Sequence, residues 1–205
     1  MILIGQFDSP FVRRVAITMR LYGIKFEHRP WSTFADAAQI AAHNPLRRVP
    51  TLLLDDGEVL VDSVTILDHL DETIGPDKAL IPNSGPTRRQ IAKITALATG
   101  LADKSVSLVY ERLLHQPVSQ RWTDRCIEQI TAVLGTLNAD RTTRTTPCWF
   151  GPTLSHADIA VACAIRFNTE AHGTSMTRWP ALKSHAEHCE ALEPFQAIAQ
   201  TFLPP

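Results

Sequence analysis

The stretch that decides the fold reads NPLRRVPTLLLDDGEVLVDSVTILDHL and runs from Asn44 to Leu70. Two short apolar runs, at 51–54 and 59–61, are separated by Asp55-Asp56-Gly57, and residues of these types form the tight turns of β-hairpins. From Asp62-Ser63 onward the apolar residues recur at helical spacing. The stretch therefore predicts a β-hairpin that runs directly into a helix.

The same stretch offers binding groups to a peptide. Pro50 has no N–H for a sheet ladder, so it belongs at a strand start, and it is the residue type before which a cis bond costs least. A cis bond there would turn the N–H and C=O of Val49 outward, toward an extended peptide. Ser63 would offer its hydroxyl and helix-terminal N–H groups to a carboxylate, and Asp62 would accept from an ammonium group. Glutathione has both a peptide backbone and such a zwitterionic head.

The N-terminal residues add a second signal. The apolar run 1–7 has strand character and is followed by Ser9-Pro10, the expected pair for a helix N-cap and the first helical position. That helix ends at Gly23, and Lys25–Trp31 alternates enough for another strand. Strand, helix and strand in this order predict a βαβ unit with a right-handed crossover.

Two motifs together resemble a known family. Asn44-Pro45-x-x-x-Val49-Pro50-Thr51-Leu52, followed by Asp62-Ser63, resembles the glutathione-binding half of the glutathione transferases. The opening Ser9-Pro10-Phe11-Val12-Arg13-Arg14-Val15 resembles the serine-type members, such as the plant tau class and several bacterial relatives. The resemblance implies an α+β two-domain fold, in which a thioredoxin-like βαβ-α-ββα domain precedes an all-α C-terminal domain.

The pattern along the chain agrees with that layout. Residues 1–77 would form the thioredoxin-like, glutathione-binding domain. Residues 78–86, rich in Pro, Gly, Asn and Ser, would form a linker. Residues 87–205 show long helical stretches without strand alternation, and they would form the electrophile-binding domain. Within them, Ser155 and Asp158 form a capping-box pattern at the start of a helix.

Ser9 is the predicted catalytic residue. At a helix start its hydroxyl would lie beside N–H dipoles, where it could donate to a ligand sulfur and favour the thiolate, which is the nucleophile. It would not be a covalent nucleophile, because no His or Lys is visibly placed to activate it. The alternative is that Ser9 only caps its helix. Tyr22 and Tyr110 are rival hydroxyls.

The resemblance implies the remaining contacts. Val49, Pro50, Asp62 and Ser63 would bind glutathione, with the Val49 backbone at the cysteinyl unit. Arg48 would meet the glycyl carboxylate, and Arg47 beside it is an alternative. Phe11 and Tyr110 are candidates for an electrophile pocket between the domains.

The predicted function is conjugation of glutathione, as a co-substrate, to small hydrophobic electrophiles in detoxification, with no other cofactor. A glutathione-dependent thiol reductase or peroxidase is one alternative, although it would usually require a cysteine in place of Ser9. A non-catalytic binding module of the same fold is another. The resemblance also implies a homodimer.

Composition bounds these predictions. The chain has 205 residues, a formal net charge of −1, 44% hydrophobic and 20% charged residues. Such a chain can bury a core, and its charge does not indicate a nucleic-acid partner. No apolar run approaches the ~20 residues that span a bilayer, and no basic segment precedes the first apolar run, so we expect a cytoplasmic protein without membrane partners.

The four cysteines lack a C-x-x-C spacing, which predicts free, buried thiols. His185-x-x-His188-Cys189 on one late helix is too small a set to predict a metal site.

Overall fold

Four short strands form one mixed sheet in the computed structural model, which describes residues 1–204. The elements of this N-terminal part are β1 (Ile2–Ile4), α1 (Pro10–Leu21), β2 (Glu27–Arg29), α2 (Ala37–Ala41), β3 (Thr51–Leu53), β4 (Val59–Val61) and α3 (Ser63–Ile74). The strand order is β2-β1-β3-β4. β1 pairs parallel with β2 and antiparallel with β3, and β3 pairs antiparallel with β4. The predicted βαβ-α-ββα order is therefore confirmed.

Local sequence signals account for these elements. Ser9 is the N-cap of α1, Pro10 is its first residue, and Gly23 follows with a φ of 68°. The second strand is shorter than predicted, because only Glu27–Arg29 pairs with β1. The apolar faces of α1 and α3 are fully buried in the core of this part, as are Leu3 and Leu52 of the sheet.

The rest of the chain is helical. Its elements are α4 (Gly85–Leu114), α5 (Gln120–Thr142), α6 (His156–His172), a 3₁₀ turn (Met176–Arg178), α7 (Pro180–Glu190) and α8 (Glu193–Ala197). The helix α6 is buried over most of its circumference, because it lies at the centre of this bundle. The predicted capping box is confirmed: Asp158 accepts from the backbone N–H and the hydroxyl of Ser155, at 2.8 and 2.7 Å.

The chain divides into two compact units. One contains Met1–Asn83 with Leu192–Leu203, and the other contains Ser84–Ala191. The sequence pattern groups the residues after 191 with the helical region, whereas in the structure they pack on the sheet-containing unit. The reason is Arg13 of α1, which is 2% exposed and donates to the carbonyls of Phe195 and Ile198.

None of the helices described in residues 1–204 is both long and apolar enough to cross a membrane.

Candidate functional site

The strand directions bring the predicted site residues to one end of the sheet. Because β1, β2 and β4 run one way and β3 runs the other, the ends of β1, β2 and β4 and the start of β3 share an edge. Ser9 follows β1, Val49 precedes β3, and Asp62-Ser63 follows β4. Adjacent strands lie about 4.8 Å apart, so the four strands span about 14 Å, enough for an extended tripeptide.

Ser9 keeps its hydroxyl proton available. Its Oγ accepts from the backbone N–H of Val12 at 3.4 Å, which confirms the predicted cap of α1. The hydroxyl donates to no group among residues 1–204, and the side chain is partly exposed. The cap uses an oxygen lone pair, so the helix cap and donation to a ligand sulfur are compatible with each other.

Val49 presents an unpaired backbone at the same edge. The Val49–Pro50 bond is cis, and Pro50 is buried immediately before β3. Within residues 1–204 neither the N–H nor the C=O of Val49 makes a hydrogen bond. A pair of free backbone groups at an open edge can bind an extended peptide by strand-like pairing.

Asn44 holds this backbone in place, a role that the sequence motif did not reveal. The side chain is buried, its Oδ1 accepts from Leu46 N–H at 3.0 Å, and its Nδ2 donates to the carbonyl of Arg48 at 2.9 Å. The same Nδ2 donates to Thr51 Oγ1 at 3.1 Å. Asn44 therefore ties the turn to both residues that flank Val49-Pro50.

Asp62, and not Ser63, caps α3. The Oδ1 of Asp62 accepts from Val64 N–H at 2.8 Å, and Ser63 is the first helical residue. Ser63 is therefore not the N-cap of this helix. Its hydroxyl has no hydrogen-bond partner in the described part of the chain, and the exposed Asp62 carboxylate keeps its second oxygen available.

Basic and aromatic side chains surround the other side of this edge. Arg47 and Arg48 are exposed, and their guanidinium groups make no hydrogen bond or ion pair with residues 1–204. After β2, the rings of Trp31 and His43 stack at 6.0 Å, and the guanidinium of Arg29 lies 5.5 Å from the Trp31 ring centre. Sequence reasoning did not single out Trp31 or His43, because neither belongs to a motif.

Comparison with known proteins identifies the family. Residues 3–78 match the model of the glutathione S-transferase N-terminal domain. The GST-like protein YibF of Escherichia coli is 30% identical over 171 residues, which cover 80% of each chain. The chain belongs to the glutathione S-transferase family. The resemblance seen in the sequence is thereby confirmed.

Two further relatives extend over nearly the whole chain. The maleylacetoacetate isomerase of Pseudomonas aeruginosa is 27% identical over 206 residues, 95% of this chain and 93% of the relative. The crystal structure of a glutathione S-transferase from Methylobacterium radiotolerans, in complex with glutathione sulfonate, superposes with a TM-score of 0.89 at 25% identity. That superposition covers 98% of this chain and 97% of the other, and it confirms the predicted fold class.

Gly5 allows the site elements of this transferase-family chain to approach one another. It has a φ of 126°, and a Cβ atom placed there would lie 2.5 Å from Val12 Cγ2 and 2.7 Å from Val49 Cβ. Only glycine therefore permits both the left-handed backbone and the close approach of α1 and the segment before β3. The only sequence signal was a single glycine directly after the first apolar run.

Tyr22 and Tyr110 lie in different environments. The hydroxyl of Tyr22 donates to the Asp71 carboxylate and accepts from Leu80 N–H at 2.8 Å. Burial and the Asp71 hydrogen bond raise the pKa of Tyr22, so this hydroxyl is engaged in structural contacts. Phe11 is partly exposed in the first turn of α1, and Tyr110 is exposed in α4. Their role toward an electrophile stays a prediction.

The second unit contains a buried polar network. Asp158 Oδ1 accepts from Trp149 N–H at 2.6 Å and lies 3.5 Å from His185 Nε2. Arg141 Nε donates to His185 Nδ1 at 3.3 Å, so the imidazole carries its proton on Nε2. Burial lowers the pKa of His185 to about 4, although the Asp158 carboxylate opposes this shift. Burial also raises the pKa of the Cys189 thiol, which makes it unreactive.

Among residues 1–204 no three His, Cys, Asp or Glu side chains lie close enough to hold a metal ion. All four cysteines are buried thiols, as predicted.

Proposed function

We propose that this protein binds glutathione at the strand edge described above and conjugates it, through its sulfur, to small hydrophobic electrophiles. The observation that carries the proposal is the unpaired backbone of Val49, which lies between Ser9 on one neighbouring element and Asp62-Ser63 on the other. The solved relative from M. radiotolerans, which shares this fold, contains glutathione sulfonate.

The strand order supports one direction for the bound tripeptide. The γ-glutamyl head would lie at α3, with its ammonium on Asp62 and its carboxylate on the Ser63 hydroxyl and N-terminal N–H groups. The cysteinyl unit would pair with Val49, which places the sulfur toward Ser9. The glycyl carboxylate would then extend toward Arg48, with Arg47 as the alternative.

Catalysis would consist of ionising and placing the thiol. A free thiol has a pKa of about 8.5 and is mostly protonated near neutral pH. The Ser9 hydroxyl would donate to the sulfur, and the N-terminus of α1 would favour its negative charge, so the thiol proton leaves to solvent. The thiolate would attack an electrophilic carbon; a carbon–sulfur bond forms, and the leaving group departs with the bonding electron pair. Phe11, two residues after Ser9 and partly exposed, would be an apolar candidate to contact the electrophile.

The test is to titrate the ultraviolet absorbance of the bound glutathione thiolate in wild type and Ser9→Ala. A hydrogen bond to a charged acceptor contributes about 1.5–3 kcal/mol, so the thiol pKa should rise by about 1–2 units in the variant and kcat/KM for an activated aryl halide should fall about 10- to 100-fold. Glutathione that binds without any depression of its thiol pKa in wild type would favour a binding module without catalysis.

Ser119→Ala is a matched control for the lost cap. Ser119 caps α5 by accepting from Trp122 N–H at 3.4 Å, the distance that Ser9 makes with Val12. Both variants should lose similar helix-start stability, about 1 kcal/mol. Only Ser9→Ala should change the thiol pKa. A similar change in Ser119→Ala would contradict the assignment of Ser9.

A glutathione-dependent isomerase is the second candidate, because the maleylacetoacetate isomerase of P. aeruginosa aligns over 95% of this chain. In that reaction the thiolate would add to a conjugated cis double bond, and expulsion of the thiolate after rotation would leave the trans isomer. Glutathione is regenerated in isomerisation and consumed in conjugation. A mass balance of glutathione after turnover with a cis-dienoate therefore separates the two activities.

A thiol reductase or peroxidase has less support. Ser9 stands where such enzymes usually require a cysteine, and all four cysteines are buried in the second unit. A homodimer and a cytoplasmic location remain part of the proposal, and sedimentation of the purified protein tests the first.

A further inference from the structure

The segment that follows α7 reaches back to the loop that carries Ser9. This C-terminal strap, Leu192–Leu203, begins with α8 and belongs to the first unit. Arg13 anchors it: Nε donates to the carbonyl of Ile198 at 2.8 Å, and Nη2 donates to the carbonyl of Phe195 at 2.9 Å. Arg20 of α1 pairs with Glu193 at the exposed start of the strap. The strap is therefore fixed to the helix that Ser9 caps.

The strap contacts the loop that carries Ser9 through Gln200. The side-chain Oε1 of Gln200 accepts from the backbone N–H of Phe7 at 3.0 Å. Phe7 lies in a tight turn that the Ser9 N–H closes on the carbonyl of Gln6, at 3.2 Å. The Phe7 ring stacks on His28 with centroids 3.8 Å apart and planes 3° from parallel. Three contacts therefore hold the turn: the Ser9 N–H, the Gln200 side chain and the His28 ring.

We propose that Gln200 is a positioning residue for Ser9, and that it supports the ionisation of bound glutathione through its hydrogen bond to the Phe7 turn. This inference rests on the proposed function. The contacts form a closed ring, which runs from Ser9 along α1 to Arg13, through the strap to Gln200, and back through Phe7 to Ser9. Such a ring restrains the Ser9 oxygen relative to the axis of α1. Without the strap, only the turn and a single cap bond of 3.4 Å would hold this oxygen, and it would be less restrained.

The direction of the effect follows from the geometry of hydrogen bonds. Donation from Ser9 to a thiolate weakens steeply when distance or angle departs from the optimum, and small displacements at a reacting centre reduce rates strongly. Removal of the Gln200 acceptor would release the Phe7 N–H and loosen the turn. The bound thiol would then lose part of the stabilisation of its ionised form, although Gln200 itself touches no reacting atom.

The experiment compares Gln200→Ala with Thr201→Ala, a change of the exposed next residue, whose side chain makes no hydrogen bond within residues 1–204. In Gln200→Ala the pKa of bound glutathione should rise by about half a unit, and kcat near neutral pH should fall about threefold with KM nearly unchanged. Thr201→Ala should match wild type. Both variants should unfold at the wild-type denaturant midpoint, because Arg13 still anchors the strap.

A double-mutant cycle separates positioning from general destabilisation. In the Ser9→Ala background, Gln200→Ala should cause no further rise of the thiol pKa, because the group through which it acts is absent. Amide hydrogen exchange in the ligand-free protein should show faster exchange of Phe7 in Gln200→Ala only. An unchanged thiol pKa in Gln200→Ala, or a rise that adds fully to that of Ser9→Ala, would overturn the proposal while leaving the function of Ser9 intact. Failure of wild type to depress the thiol pKa would instead remove the proposed function, and this inference with it.

Discussion

At the scale of single residues, Asp62 combines a structural role with a proposed binding role in one carboxylate. Its Oδ1 caps α3 through Val64 N–H, and the other oxygen is exposed at the strand edge. Sequence reasoning assigned the binding role to this residue from the motif. It could not decide which of Asp62 and Ser63 capped the helix, because both residue types are good N-caps.

Replacing Asp62 with Asn tests the binding role separately from the cap. Asparagine caps helices as well as aspartate does, so Asp62→Asn should unfold at the wild-type midpoint. The asparagine amide is neutral, so it would lose the ion pair with the γ-glutamyl ammonium. For the loss of an exposed ion pair we expect a roughly fivefold rise in the dissociation constant of glutathione. Isothermal titration measures it, and unchanged affinity would exclude the ammonium contact.

At the scale of elements, Arg13 shows how one buried side chain fixes a whole segment. Arg13 lies in the first turn of α1, and its guanidinium supplies hydrogen bonds to two carbonyls at the end of α8. These carbonyls belong to the last turn of a short helix, where no intrahelical N–H is available to them. The cation also complements the negative end of that helix.

Replacing Arg13 with Met should therefore destabilise the first unit. Methionine fills similar space but leaves the Phe195 and Ile198 carbonyls without their donor, which should lower the free energy of unfolding by about 2–4 kcal/mol. Arg20→Met, which removes the exposed pair with Glu193, is the control and should change stability little. Urea unfolding measures the free energy of unfolding of both variants. Equal losses would show that the buried Arg13 contacts stabilise the unit no more than the exposed pair does.

At the scale of the whole molecule, the two units depend on different polar networks. The first unit keeps backbone and side-chain groups unpaired at its strand edge, where a ligand can use them. The second unit satisfies the buried Asp158 through the Ser155 cap, Trp149 and the neutral His185. The core of the second unit is therefore sensitive to protonation of His185. The strand edge of the first unit is instead exposed to solvent.

Acid should destabilise the protein through His185. The ordinary histidine pKa is 6.5, and burial lowers it to about 4 in the fold, with Arg141 and His188 acting in the same direction and Asp158 against it. Between these values the unfolded chain binds a proton that the folded chain does not. Stability is thus complete above about pH 6.5 and falls as pH drops toward 4, by an amount on the order of 3 kcal/mol.

The measurement is the urea midpoint as a function of pH for wild type and His185→Gln. Glutamine can accept from Arg141 and donate toward Asp158 but cannot titrate, so the variant should show a shallower loss of stability between pH 6.5 and 4. Burial lowers the pKa of His172 as well, so part of the slope should remain. An identical slope in both proteins would exclude His185 as its source.

The sequence alone determined the features that depend on neighbouring residues. Ser9-Pro10 specified a helix start, Asp55-Asp56-Gly57 specified a hairpin turn, and Ser155 with Asp158 specified a capping box. These signals work over three or four residues, because a cap or a turn is a hydrogen bond between near neighbours. The family motif could be recognised in the sequence because its residues are also near neighbours along the chain.

The tertiary structure alone decided which distant residues meet. Gly5 admits Val12 and Val49 side by side, and Gln200 bonds the backbone of Phe7, 193 positions earlier in the chain. No periodicity in the sequence encodes such pairs, because they follow from the strand order and from the path of the chain back to α1. The motif predicted which residues lie at the strand edge, but the contacts that hold the edge in place could be found only in the folded structure.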